Sequence, residues 1–180
     1  MATIPTIPTF HDGPPAVTAT QLNALGQALT FQLYNRPLAK YRQSTTTTSV
    51  PTGNSAWTTI AFDVTDVDTD GGRSGSGAFT DRYVCRTQGW YTVHATLAFA
   101  ANNTGDRLMR FLVNASAQYG VIAQPTALTG FSSVAMSKNI HMNVGDTFQV
   151  QGIQTSGVTL STVSVLEDTS SVDIYFNLAG

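Results

Sequence analysis

Tyr91, Val93, Ala95, Leu97 and Phe99 alternate with Thr92, His94, Thr96 and Ala98, and the same period returns in Val172, Ile174, Phe176 and Leu178 against Asp173, Tyr175 and Asn177. A period of two places successive side chains on opposite sides of a pleated strand, so each segment must bury one face and turn the other outward. A chain built on such segments cannot be a helical bundle. It has to close sheets over one another.

The pattern repeats along the chain. Strands are predicted over 56–62, 79–86, 90–101, 107–114, 118–123, 131–142, 147–151, 158–166 and 171–178. Turn residues such as Asn102-Asn103-Thr104-Gly105 and Val144-Gly145-Asp146 separate them, and no fixed-period repeat or long helix interrupts. Many short strands in series favour an all-β, two-sheet sandwich of the jelly-roll kind.

The N-terminal third differs. Residues 1–17 hold Pro5, Pro8, Pro14 and Pro15, which fix an extended path, with Ile4, Ile7 and Phe10 as spaced apolar side chains. They form an arm, expected to bury those three side chains against another chain. Thr18-Ala19-Thr20-Gln21 has the form of a capping box, and Leu22, Leu25, Leu29 and Leu33 follow at helical spacing to about Tyr34, before Arg36-Pro37. An amphipathic helix over 18–36 is predicted. Such a short helix needs a partner surface, either the chain's own sheet or a neck made with other copies. Residues 37–54 are assigned to a connector, within which the polar run Gln43–Ser49 is a connector or an exposed edge strand, and 55–180 form the head.

Charge and chemistry narrow the function. Charged residues are 11% of the 180, below the usual quarter, and Thr, Ser, Asn and Gln take the polar positions, a surface suited to packing against neighbours. The net charge of -2, with no basic stripe, argues against nucleic acid as partner. No stretch approaches a membrane span and no export signal opens the chain, so synthesis in a cytoplasm is expected. Cys85 sits in a strand-like segment as a small core residue. His11, His94, His141 and Glu167 are accompanied by no nucleophile elbow, so no enzyme is expected.

Two loops bear on ligand chemistry. Asp66, Asp68 and Asp70 alternate before Gly71 as in a calcium loop, but the twelfth position is Gly77. Calcium on a looser oxygen site with Asp63, or a solvated acidic turn, are the readings; no other cofactor is indicated. Gly71–Gly77 leads into a strand rather than a helix, which fits a surface loop better than a phosphate cradle. Tyr175, flanked by Asp173 and Asn177, has the amphipathic character of a subunit contact.

Trp57–Asp63, Asp68–Gly72, Gly89–Val93, Ala100–Arg107, Val113-Asn114, Val144–Phe148 and Ser171–Phe176, in that order, resemble the landmarks of the complement C1q and tumour necrosis factor jelly-roll superfamily over residues 55–180. The resemblance implies a sandwich of about ten strands that forms homotrimers. The Pro-Thr-Phe-His-Asp-Gly-Pro-Pro run and Gln21–Gly26 are similar to virion proteins of tailed bacteriophages, particularly those of actinobacteria. That implies a structural protein on the outer surface of the capsid, with the major capsid protein as partner and Ile4, Ile7, Phe10, Leu22, Leu25 and Leu29 as anchors. A tail-fibre or baseplate tip recognising a host surface ligand is the alternative. No collagen-like stalk precedes the head.

Overall fold

The computed structural model describes residues 17–31, 35–53, 55, 57–74, 81–125, 130–164 and 170–179. The arm residues Ile4, Ile7 and Phe10, and Leu33, lie outside them. Helix α1 (Ala19–Thr30) begins as the sequence predicts: Thr18 Oγ1 accepts the Gln21 N–H at 3.2 Å, and Gln21 Oε1 accepts the Thr18 N–H at 2.9 Å. Its α-helical part runs to Thr30, Phe31 and Asn35 have π-helical geometry, and residues 32–34 of the predicted helix lie outside the described ones; the Phe31 ring packs edge-on against Phe176 at 5.6 Å. No described helix is long and apolar enough to cross a membrane.

Among the described residues thirteen strands follow: β1 (Leu38–Arg42), β2 (Ser49–Val50), β3 (Thr58–Thr59), β4 (Val64–Asp68), β5 (Arg73–Ser74), β6 (Arg82–Val84), β7 (Gly89–Phe99), β8 (Asp106–Val113), β9 (Ala117–Pro125), β10 (Ser132–Met142), β11 (Thr147–Gln154), β12 (Leu160–Ser161) and β13 (Ser171–Leu178). One sheet runs β10-β7-β13-β1-β4. The other runs β5-β6-β11-β8-β9, with β3 on β11, and β2 pairs with β12. The ladders between these strands are antiparallel. This is the all-β jelly-roll sandwich expected, with more strands than ten because several are two-residue pieces.

The structure corrects two expectations. β1 lies within the stretch assigned to a connector, yet it pairs with β13 on one side and β4 on the other. β4 occupies much of the acidic turn. Aspartate is a poor strand former, but β4 is an edge strand with a register break opposite Lys40/Tyr41, where carboxylates can reach water or loop donors.

The inward faces interlock as their alternation demands. Tyr91, Val93, Ala95, Leu97 and Phe99 of β7 are fully buried, as are Met109 and Phe111 of β8 and Ile140 and Met142 of β10. Phe111 meets Phe148 at 5.2 Å and Tyr91 meets Phe176 at 5.4 Å, both edge-to-face. Cys85 is buried in this core, and burial pushes its thiol pKa up, as befits an inert packing residue. Arg107 is also buried; its guanidinium donates to the carbonyls of Asn102, Thr104 and Asp106 at 3.0–3.1 Å, pinning the β7–β8 loop from inside.

β9 and β10 leave the sandwich open along one flank, since each is an edge strand. Lys138 occupies the inward phase of β10 between Met136 and Ile140, and its stem crosses to the β9 bulge, where a side chain at Gly120 would meet its Cε at 2.7 Å. Lys138 stays exposed there, and an exposed lysine on an edge discourages another strand from pairing.

The β8–β9 turn carries a local cost. Asn114 and Ala115 take φ of 53° and 56°, and Ser116 donates back to Val113. Asparagine tolerates that region, while alanine's Cβ does not. Ala115→Gly is expected to raise stability by about 0.5–1 kcal/mol in urea unfolding, with unchanged m.

Candidate subunit interface on the five-stranded sheet

The outward phase of the five-stranded sheet presents one continuous surface. On β13 it carries Asp173, Tyr175 and Asn177, the three residues grouped in the sequence; on β7, Trp90, Thr92, His94 and Thr96; on β10, Ala135, Ser137, Asn139 and His141; on β1, Leu38 and Lys40. Register sets these side chains in rows. Ser137, His94, Asp173 and Lys40 stand side by side across four strands, and His141 stands opposite Trp90.

Hydrogen bonds order the polar part. Asn177 Nδ2 donates to Thr92 Oγ1 at 2.8 Å, and that hydroxyl donates to Asn139 Oδ1 at 2.8 Å, tying β13, β7 and β10 together. Lys40 Nζ lies 3.8 Å from Asp173 Oδ1, an ion pair by distance but too long for a hydrogen bond, and that buried oxygen has no hydrogen-bond donor among the described residues. One end of the surface is apolar: Trp90, Tyr175 and Leu178 are 43–57% exposed, and the His141 ring sits edge-on to Trp90 at 5.4 Å.

The sequence missed Trp90, His141 and Leu178 as companions of Tyr175. Trp90 is in phase with Thr92 and His94, so the alternation held that signal; the cross-strand register did not exist until β10 and β13 were aligned on β7. The surface has few full charges and large amphipathic rings, the composition of the centre of protein–protein contacts.

On α1 two of the described leucines, Leu22 and Leu29, face away from the sandwich. Ala28 is buried and Leu25 half-buried, while Leu22 and Leu29 are 57% and 54% exposed. The buried face of the helix carries Ala28 and Phe31, with Leu25 half-buried one turn before Ala28.

The acidic residues considered for calcium are not brought together. Asp66 receives Arg42 Nε at 3.0 and 3.1 Å; Asp68 accepts from Tyr41 Oη, Gly72 N and Arg73 N at 2.8–3.0 Å; Asp70 is buried and accepts from Thr87 Oγ1 at 3.2 Å. Among the described residues no three His, Cys, Asp or Glu side chains gather as a cation site. Asp63 serves elsewhere, accepting from Ser44 N, Thr45 N, Thr45 Oγ1 and Thr46 N at 2.7–3.2 Å. Successive backbone N–H groups of the polar run thus form an anion nest filled by the chain's own carboxylate.

The architecture has counterparts among solved structures. The globular domain of zebrafish complement 1qA protein matches with TM-score 0.56 at 9% identity, covering 81% of this chain and 100% of that one. Murine APRIL at pH 5.0 matches with TM-score 0.56 at 12%, covering 78% and 99%, and the Eiger TNF of S. frugiperda with 0.56 at 13%, covering 81% and 96%. The fold is therefore the C1q/TNF-like jelly roll. No protein-family model matches the chain, and no curated protein does. At these identities the likeness is one of fold, and the phage resemblance rests on the sequence motifs.

Burial would raise the Asp63 pKa, but the hydrogen bonds from Thr45 and Ser44 outweigh it and hold the carboxyl at about 2, below its ordinary 3.8. A depressed folded-state pKa gives stability that is full above about pH 4 and lost as pH falls through about 2. Asp63→Asn is expected to flatten that acid limb in pH-dependent thermal unfolding and to speed amide exchange at Thr45 and Thr46.

Proposed function

We propose that this chain is a non-enzymatic structural protein that acts as a homotrimer, its heads joined through the outward face of the five-stranded sheet and its N-terminal segment fastened to a larger protein shell. The shell that fits the phage-like N-terminal motifs is the outer surface of a tailed-phage capsid, with the major capsid protein as partner.

The observation that carries this reading is the set of apolar side chains a single chain leaves open. Trp90, Tyr175 and Leu178 lie on the sheet and Leu22 and Leu29 on α1. Being about half exposed, each of these side chains forgoes on the order of 1 kcal/mol relative to full burial, so two separate patches of them favour two separate contacts. The sheet patch, with its ordered polar rows, fits a symmetric contact between heads. The α1 patch continues the Pro-rich arm and fits the attachment.

Three joined heads would make weak individual arms effective. Once one arm is seated, the other two are held near their sites, and overall affinity rises well beyond that of a single arm.

Native mass measurement at micromolar concentration is expected to give three times 19.1 kDa. Tyr175→Lys, which places a charge in the proposed contact, is expected to shift the chain to a monomer while leaving its circular dichroism unchanged, a loss of about 2 kcal/mol or more per contact. A wild-type monomer at that concentration would sink the trimer. Deleting residues 1–17 is expected to leave the trimer intact and abolish co-sedimentation with empty capsids; binding to host cell walls instead of capsids would point to a receptor-binding tip.

A further inference from the structure

The opposite sheet carries a second constellation, on the side turned away from the proposed subunit contact. Register sets Val121 of β9, Arg110 of β8, Gln151 of β11 and Thr59 of β3 in one row across four strands. Trp57 precedes β3 in the same phase as Thr59, and its ring stacks with the Arg110 guanidinium at 4.2 Å. Arg110 Nε donates to Gln151 Oε1 at 2.8 Å, and Gln151 Nε2 donates to Thr59 Oγ1 at 3.1 Å.

Arg110 is therefore fixed by an aromatic plane and by one hydrogen bond through Nε, which leaves its two terminal nitrogens without a partner among the described residues. Among those residues no carboxylate lies within ion-pair distance of it either, in contrast to Arg42 and Arg82, which pair with Asp66 and Asp81. The acid in phase with it on β8, Asp106, is two pleat repeats away, about 13 Å. Burial without an acid beside it also lowers the guanidinium's pKa, though it stays charged at any physiological pH.

A rigid, unpaired guanidinium fork matches a carboxylate bidentately. Around it stand neutral groups suited to a sugar: the Trp57 ring, the amides of Gln149 and Gln151 and the hydroxyl of Thr59. The row spans about 14 Å at ordinary strand spacing, the length of two to three sugar rings. We propose that this face binds an acidic saccharide, with the carboxylate of a uronic acid on Arg110 and the sugar faces against Trp57 and Val121.

The proposed subunit contact does not involve this sheet, so the site stands or falls independently of the trimer. The test is a titration of the full chain with a glucuronate-containing tetrasaccharide, its carboxyl-reduced neutral counterpart and an Asp-rich peptide, followed by calorimetry and by the Trp57 indole N–H resonance. The acidic sugar is expected to bind at least tenfold tighter than either control and to move that resonance. Arg110→Lys, which keeps the charge but loses the fork, is expected to cost at least tenfold with an unchanged melting temperature, and Trp57→Phe, which keeps a ring, a smaller loss. Equal binding of the acidic and reduced sugars, tighter binding of the peptide, or an Arg110→Lys variant that binds as wild type would each overturn the proposal.

Discussion

The five-stranded sheet is held together by one strand. β13 pairs with β7 along one edge and with β1 along the other, so β1 and β4 join the sheet only through it. Those pairings bring Leu38 beside Tyr175 and Val93 beside Ile174, contacts between distant parts of the chain. Non-local closure of this kind is slow, because loop entropy must be spent before the ladder forms. It also determines the surface that results. Once β13 is seated, Tyr175, Asp173 and Asn177 stand in register with the rows of β7 and β1, and the outward face takes its shape from that pairing.

The long alternating strands were legible because their burial is one-sided: β7 reads the same in sequence and structure, and β13 does through Phe176, after which a register shift turns Leu178, expected inside, to the exposed surface. What stayed illegible is short or answers to tertiary donors. β1 is five residues after Pro37 and shows too little alternation to stand out. Asp66 and Asp68 look like loop residues until Arg42 and Tyr41 are placed beside them. The Ser/Thr run before Val50 has no periodicity because its conformation is set by Asp63, a residue outside it. On α1 the spacing of the leucines was plain, but a stripe does not say which side the head occupies; Ala28 and Phe31 take that side.

Candidate-site residues divide along the same line. Tyr175, Asp173 and Asn177 could be grouped from one strand, whereas Trp90 and His141 become neighbours only through register. The Arg110 row is more extreme, since its members come from four strands and none carries a local signal. Polar residues on outward faces are the least constrained by folding, so their cross-strand coincidence is where recognition can be built without disturbing the core.

Lys138 has a bearing on life in a crowded array. In the proposed arrangement on a shell, copies would present their open flanks to one another at high density, the circumstance in which bare strand edges fuse into fibres. A cationic stem laid across the Gly120 bulge makes that flank self-repelling, so neighbouring heads can stand close together and remain separate particles.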